Sequence, residues 1–416
     1  MVKNIILFND FAHVNGGAAQ VCIQSALGLK ERGYHVVLFS ATNEIDQRLK
    51  DHGIQVVQTH QYDILSNPSK VCASIQGIWN RKAQKVLEAE ILDKYEPSDT
   101  VIHIHGYIKA LSPSIFSTLS KYKFPVAITL HDYFLACPNG GFYNYQSQHI
   151  CDYSPLSRTC VCSNCDVRNY PQKLWRVFRQ YIQRSAINKL PKLWLFSISD
   201  LTERQIKACP PMRDTSKITY MRVENPIELP ESLSAEPSLD GHYLFMARLS
   251  HEKGIDLFCK AITDLGLKGL VLGDGYLREY YERAYPQIEF KGWVKGEEKK
   301  TLMRRCKCLL FCSLWYEGLG LSVLESQSYG LPCIVPDRCS ASELVVDGEN
   351  GFIFESGNLD SLKEAIVRLE KADYSRLYHR TLEMWDSNKH SIDAHVDRLE
   401  EVYNLMLNNK GIYEKL

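Results

Sequence analysis

Two successive series of short apolar runs, most ending in a polar loop, constrain this chain more than any other feature. The first series occupies 4–9, 36–39, 53–58, 101–104, 125–130, 193–196 and 217–220. The second occupies about 243–247, 269–272, 288–291, 308–312 and 332–335. Between runs, apolar residues recur at helical spacing, as at Val21, Ile23, Ala26, Leu27 and Leu29, or across 71–94 and 111–121. Strands alternating with helices make mostly parallel sheets, so the fold class is α/β. At 416 residues the chain exceeds what one core supports, and two domains follow. The boundary falls after Asn225-Pro226, where Glu228–Gly241 has the Pro, Ser and Glu content of a linker.

Composition removes several classes. Forty-nine basic residues balance forty-nine acidic ones, which argues against a general nucleic-acid binder. No apolar run reaches the roughly 18 residues of a membrane span, and the first residues lack a signal peptide's pattern, so a cytoplasmic protein is expected. There, fourteen cysteines call for burial, metal binding or catalysis rather than disulfides.

Within the first series, Gly16-Gly17 opens the helix after the first strand. It is either a tight turn or an anion site made by free N–H groups and the helix dipole. His105 and His131 stand just past strand ends, as structural residues or as site residues. Five cysteines cluster at 137–165, with a C-x-x-C spacing at Cys162–Cys165. A structural zinc held by Cys137, Cys151, Cys160 and Cys165 is one reading, with His149 and Cys162 also at hand. A reduced buried cluster is the other. The following helix, 171–190, places Leu174, Trp175, Val177, Phe178, Tyr181 and Ile182 on one side and Arg176, Arg179, Gln183 and Arg184 on the other. Val167–Lys192 holds seven basic and no acidic residues. Such a helix either lies on an anionic membrane surface or buries its apolar side in the core.

The second series carries more chemistry. Its first strand runs into Arg248 and Lys253, with Gly254 opening a helix, a pattern suited to gripping phosphate. Its second ends in Gly273-Asp-Gly275, its third in Phe290-Lys-Gly292, and its fourth in Tyr316-Glu317-Gly318-Leu319-Gly320-Leu321 with Glu325 beyond. A carboxylate suits paired sugar hydroxyls. Ser322-x-x-Glu325 also fits a capping box, which would make Glu325 a helix cap alone.

Taken in order, Arg248-x3-Glu252-Lys253-Gly254, Gly273-Asp-Gly275, Phe290-x-Gly292 and Glu317-x7-Glu325 resemble the GT-B glycosyltransferases of family 4, the glycosyl transferases group 1. Gly16-Gly17-Ala18 and Asn225-Pro226 extend the resemblance over nearly the whole chain. It implies two Rossmann-like domains facing across a cleft: 1–228 on the acceptor side, 229–388 on the donor side, and 389–416 crossing back. It implies retaining transfer of a sugar from a UDP- or GDP-sugar to a glycan or lipid-linked acceptor in surface-polysaccharide assembly. Arg248 and Lys253 would hold the diphosphate, Glu325 the ribose, and Glu317 the sugar, with backbone N–H groups from Gly318 to Leu321. Gly16 and Gly17 would approach the phosphates, and His131 would lie beside the transferred sugar. No Asp-x-Asp pair occurs, so no catalytic cofactor is expected. Leu319 departs from the family's usual Phe, and the cysteine loop is an extra. An epimerase of similar build and a non-catalytic nucleotide-sugar-binding subunit are the competing readings.

Overall fold

The computed structural model describes residues 1–209, 212, 214–229 and 241–408. Residues 230–240 of the expected linker and 409–416 of the closing segment lie outside the described residues. The first domain contains β1 (Asn4–Phe8), β2 (His35–Ser40), β3 (Gln55–Gln58), β4 (Thr100–Ile104), β5 (Val126–Thr129), the small strands β6 (Tyr143–Asn144) and β7 (His149–Ile150), β8 (Leu193–Ser197) and β9 (Ile218–Arg222). The second contains β10 (His242–Met246), β11 (Gly269–Leu272), β12 (Glu289–Gly292), β13 (Cys306–Leu310), β14 (Cys333–Pro336) and β15 (Gly351–Phe354).

The large sheets run β3-β2-β1-β4-β5-β8-β9 and β12-β11-β10-β13-β14-β15, parallel throughout, while β6 and β7 pair antiparallel. Each large sheet starts in the middle and builds outward on both sides, a doubly wound order. The chain reverses between β1 and β4 in one sheet and between β10 and β13 in the other. In such sheets ligands sit outside the carboxyl ends of the strands at those reversals. The loops after β1, β4, β10 and β13 are therefore the ones to inspect.

Helices pack on both faces of each sheet, and the strands are buried on both sides, Ile5, Ile6, Leu7 and Phe8 all at 0% exposure. The expected helix over 71–94 is interrupted. One helix, Lys70–Ile78, ends at Trp79, and Asn80 caps the next, Arg81–Leu87, by accepting from Ala83 N. The strand β15 is an addition to the five expected in this domain.

The helix Ile392–Asn408 returns to the first domain and buries Val396, Leu399, Val402, Tyr403 and Met406 there. Each such side chain contributes about 1.5–3 kcal/mol on burial. Its close approach rests on Gly28, where a Cβ would come within 2.6 Å of Val396 Cγ2. The two passages between domains run side by side: Ile227 N donates to the His390 carbonyl (3.0 Å) and Arg398 Nε to the Arg222 carbonyl (2.9 Å).

The helix Tyr170–Ile187 is turned over relative to the outward-facing basic side read from sequence. Lys173, Arg179, Gln180 and Gln183 are buried, whereas Leu174, Phe178 and Tyr181 are exposed. The polar side faces inward because it has partners there. Gln180 donates to the carbonyls of Leu135 and Ala136, Gln183 to that of Phe134, and the Arg179 guanidinium lies over the rings of Phe134 and Trp175.

Candidate functional site

A cavity of about 1060 Å³ opens between the two sheets, at the carboxyl ends of their strands. The loop after β10 supplies its first cation pair. Gly254 has φ 72°, and a Cβ there would fall 1.9 Å from the Cys312 carbonyl oxygen, so only glycine lets this loop lie against the one after β13. That approach sets Lys253 beside Glu317. The Lys253 ammonium lies 2.5 Å from Glu317 Oε2, and Trp315 Nε1 (2.8 Å) and Ser313 Oγ (3.1 Å) donate to the same oxygen. Oε1 has no partner among the described residues. Burial pushes the Glu317 carboxyl up, but the Lys253 charge and these hydrogen bonds more than offset it, leaving the pKa below the usual value. Glu317 is thus a carboxylate with one oxygen held and one free.

Arg248 is a freer cation, its side chain 60% exposed, with a 3.5 Å contact to Glu252. Glu325 lines the cavity and accepts from Lys299 (3.0 Å). The capping-box alternative for it does not hold. The helix Leu321–Ser328 starts after Gly320 and has no side-chain cap, so Ser322 and Glu325 both lie inside it.

Two uncapped helix starts border this cavity. The helix Gly17–Glu31 begins after Gly16 with no side-chain cap, and Leu321–Ser328 does the same from the other domain. They approach so closely that a Cβ on Gly17 would stand 3.0 Å from Leu321 Cδ1. The Gly17–Glu31 start carries free N–H groups. At the other, Leu321 N and Val323 N donate to the Leu319 and Gly320 carbonyls (3.1 and 2.9 Å). Both starts present the positive end of a helix dipole, which favours an anion beside them.

The expected site residues divide here. Gly16, Gly17, His131, Arg248, Lys253, Gly273, Glu317, Leu319, Gly320, Leu321 and Glu325 line the cavity. Gly275, Gly292 and Gly318 do not; packing requires glycine at Gly275, the backbone φ of 75° favours it at Gly292, and Gly318 sits in tight contact across the domains. A Cβ would stand 2.4 Å from the Leu249 carbonyl oxygen at Gly275, 2.4 Å from Arg278 Nη1 at Gly292, and 3.1 Å from the His131 carbonyl oxygen at Gly318. Gly318 is where the domains touch: Thr202 Oγ1 donates to its carbonyl (3.1 Å), and nearby Glu343 accepts from the N–H groups of Asp200 (2.9 Å) and Leu201 (2.7 Å).

Across the cleft a pair of neutral imidazoles stands among charged lining residues, Asp10, Asp46, Arg48, Lys109 and Asp132. His131 Nε2 and His105 Nδ1 lie 3.0 Å apart. Burial pushes His131 down to about 3 and His105 well below the usual range, so both imidazoles are uncharged near neutral pH. One proton serves the link between them. The two remaining nitrogens, His131 Nδ1 and His105 Nε2, therefore have opposite characters, one a donor and the other an acceptor. His105 Nε2 is buried without a partner among the described residues. Behind them, His103 is held between Tyr403 of the returning helix (2.6 Å) and Thr129 (2.7 Å). The pairing of His105 with His131 escapes the sequence, where position after a strand marked both and the family resemblance marked His131 alone. Trp315, Ser313 and Lys299 escape it too, although the first two lie within four residues of Glu317.

The cysteine loop borders this site. Gly141 packs on Trp315, where a Cβ would come within 2.5 Å of the ring, and Phe142 meets Tyr316 edge-on with ring centroids 6.4 Å apart. Cys137, Cys151, Cys160 and Cys165 line one small pocket of about 10 Å³ with Lys173, while Cys162 is exposed. The Lys173 ammonium lies 2.9 Å from Cys165 Sγ and 3.6 Å from Cys160 Sγ, and Asn139 Nδ2 donates to Cys165 Sγ (3.1 Å). Among the described residues no group of three or more His, Cys, Asp or Glu already stands in metal-holding geometry.

Residues 234–385 match the model of the family described as glycosyl transferases group 1. An uncharacterized glycosyltransferase of Methanocaldococcus jannaschii is 31% identical over 131 residues, 30% of this chain and 37% of that protein. The UDP-Gal:alpha-D-GlcNAc-diphosphoundecaprenol alpha-1,3-galactosyltransferase of Escherichia coli is 28% identical over 148 residues, 34% of this chain and 38% of that protein. The chain thus matches well under half the length of these relatives. The crystal structure of Anabaena HepE in complex with UDP superposes with a TM-score of 0.64 at 15% identity, covering 97% of this chain and 100% of that one. That likeness establishes the fold, two Rossmann-like domains facing across a cleft in the GT-B arrangement.

Proposed function

From a glycosyl transferases group 1 domain at residues 234–385 set in a GT-B fold, we propose that this chain is a retaining glycosyltransferase. Its donor is a nucleoside diphosphate sugar, and its acceptor a lipid-linked glycan of surface-polysaccharide assembly. The observation that carries the reading is the meeting of two uncapped helix starts beside Lys253 and Arg248 in one cavity. A diphosphate bound at the mouth of these starts would have the charge growing on it as it departs met by fixed cations and helix dipoles. UDP is the first nucleotide to try, because a relative uses UDP-Gal and the HepE structure holds UDP. The same relative, whose name gives a diphosphoundecaprenol-linked substrate, supports the lipid-linked acceptor.

In the reaction we envisage, the acceptor hydroxyl oxygen bonds to the anomeric carbon while the bond from that carbon to the phosphate oxygen breaks. The electron pair stays on the phosphate, and the hydroxyl proton passes to it on the same face of the sugar. Glu325 takes the ribose hydroxyls once Lys299 yields. Glu317 uses its free Oε1 as an acceptor for a sugar hydroxyl. Neutral His131, its tautomer coupled to that of His105, takes a second hydroxyl. Held by three donors on its other oxygen, Glu317 is better suited to that role than to covalent attack.

The test is transfer from UDP- and GDP-sugars to a polyprenyl-diphosphate-linked sugar, with the product's anomeric configuration read by proton NMR. An α-linked product from an α-linked donor supports retention. Conversion of the donor with no acceptor present would point to an epimerase instead.

For the cysteine loop we propose a structural zinc on Cys137, Cys151, Cys160 and Cys165, supported by their common pocket. The four sulfurs must close in to reach it. Lys173 would then offset the excess charge of four thiolates. Metal analysis should give about one zinc per chain. A metal-free, fully active protein would leave Lys173 as the pocket's only cation.

A further inference from the structure

Trp315 touches both domains. Its Nε1 donates to Glu317 Oε2 (2.8 Å), and the Lys253 ammonium lies 5.1 Å from its ring centroid. From the first domain, Gly141 approaches the same ring so closely that a Cβ would stand 2.5 Å from Cε3 and 2.7 Å from Cζ3. The loop tip that makes this approach is itself held. Tyr133 N donates to the Gly140 carbonyl (3.1 Å), Cys151 N to the Phe142 carbonyl (2.7 Å), and Asn139 Nδ2 to the Cys165 carbonyl (2.6 Å). Phe142 takes φ 47°, left-handed backbone that a bulky residue adopts only where its surroundings fix it. Its ring meets Tyr133 and Tyr316 edge-on, with centroids 5.3 and 6.4 Å away. Cysteine pocket, loop tip, indole and carboxylate thus form one line of contacts across the cleft.

We propose that the tip of the cysteine loop positions Glu317 from the opposite domain by fixing the Trp315 indole, a step that rests on the sugar-binding role given to Glu317 above. Trp315 is a positioning residue. Its N–H helps to occupy Oε2, which leaves Oε1 for the sugar hydroxyl. A shift of the indole would release a hydrogen bond to a charged group and weaken the contact of Lys253 with the ring at the same time. Gly141 resists that shift because the ring rests directly on backbone, which yields less than a side chain would. The seat exists only while the two domains meet, and this ties the aim of the carboxylate to the assembled cleft.

The experiment is a double-mutant cycle of Trp315→Phe and Gly141→Ala in the full chain. Trp315→Phe keeps a ring beside Lys253 and removes the N–H, so kcat should fall at least about tenfold, while UDP affinity stays at the parent's value. The acid limb of the kcat profile should move to higher pH, since this N–H helps to hold the Glu317 carboxyl down. Gly141→Ala should lower kcat on its own but cost little more beside Trp315→Phe, where the smaller ring leaves room for the methyl group. Losses that multiply, or an acid limb unmoved in Trp315→Phe, would overturn the proposal. Should Gly141→Ala fail to fold, the acid limb of Trp315→Phe decides alone. The indole N–H proton resonance of Trp315, identified by its loss in Trp315→Phe, needs no turnover and should shift in Gly141→Ala. An unchanged resonance there would overturn the proposal, whereas a shift in a chain whose parent transfers no sugar would keep the link from loop to carboxylate and sink the transfer reading alone.

Discussion

The two walls of the cleft are built on different electrostatic plans. On the second-domain wall, charges are present and already paired: Lys253 with Glu317, and Lys299 with Glu325. On the first-domain wall, two uncharged imidazoles and the glycine-bearing start of a helix stand together, with carboxylates such as Asp10 and Asp132 and the Arg48–Asp46 pair around them. The contrast suggests a division of labour. A wall of paired charges can exchange its internal partners for a charged ligand at modest cost, because the cations are already in place. A neutral histidine pair among carboxylates can orient hydroxyls without drawing the diphosphate to that side.

The sharpest way to break that comparison is Lys253→Ala. A hydrogen bond to a charged group contributes roughly 1.5–3 kcal/mol, so nucleotide affinity should fall about 10- to 150-fold, and transfer should be nearly lost. It also strands the Glu317 carboxylate without its cation. Calorimetry with UDP reads the first effect and a transfer assay the second. Unchanged nucleotide affinity would remove Lys253 from the donor wall.

His105→Phe probes the opposite wall. It should leave nucleotide affinity as it was and lower kcat by about tenfold, since His131 keeps its place but loses the partner to which its tautomer is coupled. A loss shared by kcat and nucleotide binding would mean that the histidines serve packing alone. The ring NMR shifts of His131 provide an independent readout of the tautomer.

A smaller effect is expected from Asp132→Asn. Asp132 is exposed to the cleft, yet the protein crowding its carboxyl pushes it up to about 6, against the backbone hydrogen bond it accepts from Phe134 N. A carboxyl with a raised folded-state pKa contributes its stability at low pH and loses it as pH rises from the ordinary value through about 6. Asn should therefore raise the thermal midpoint more at pH 8 than at pH 5. An equal gain at both values would assign the effect to something other than charge.

The second-domain wall was legible in the sequence because its constraints are local. Gly254 and Gly273 are demanded by carbonyl oxygens that a Cβ would strike at 1.9 Å, and such needs leave glycine in fixed spacing beside the charged residues they place. The first-domain wall depends on distant pairings. His105 and His131 are 26 residues apart and meet only because β4 and β5 are neighbours. The Tyr170–Ile187 helix shows the same limit. Its two faces were readable by periodicity, but which one turned inward depended on bare carbonyls at Phe134, Leu135 and Ala136. The strand β15 was missed because its four residues follow directly on the polar turn Asp347–Asn350. The capping-box reading of Glu325 failed for a plain geometric reason, since the helix begins one residue before Ser322.

The side-by-side passages between the domains have a mechanical consequence. A body tethered at one point can swing in any direction, but one tethered by two adjacent strands that are bonded to each other is closer to a door on a strap hinge. Ile227 and His390 fasten the two leaves of that strap, and Arg398 and Arg222 fasten them again further along. A rotation of one domain against the other would then be steered about a single line, along which Gly17 and Leu321 part and meet again.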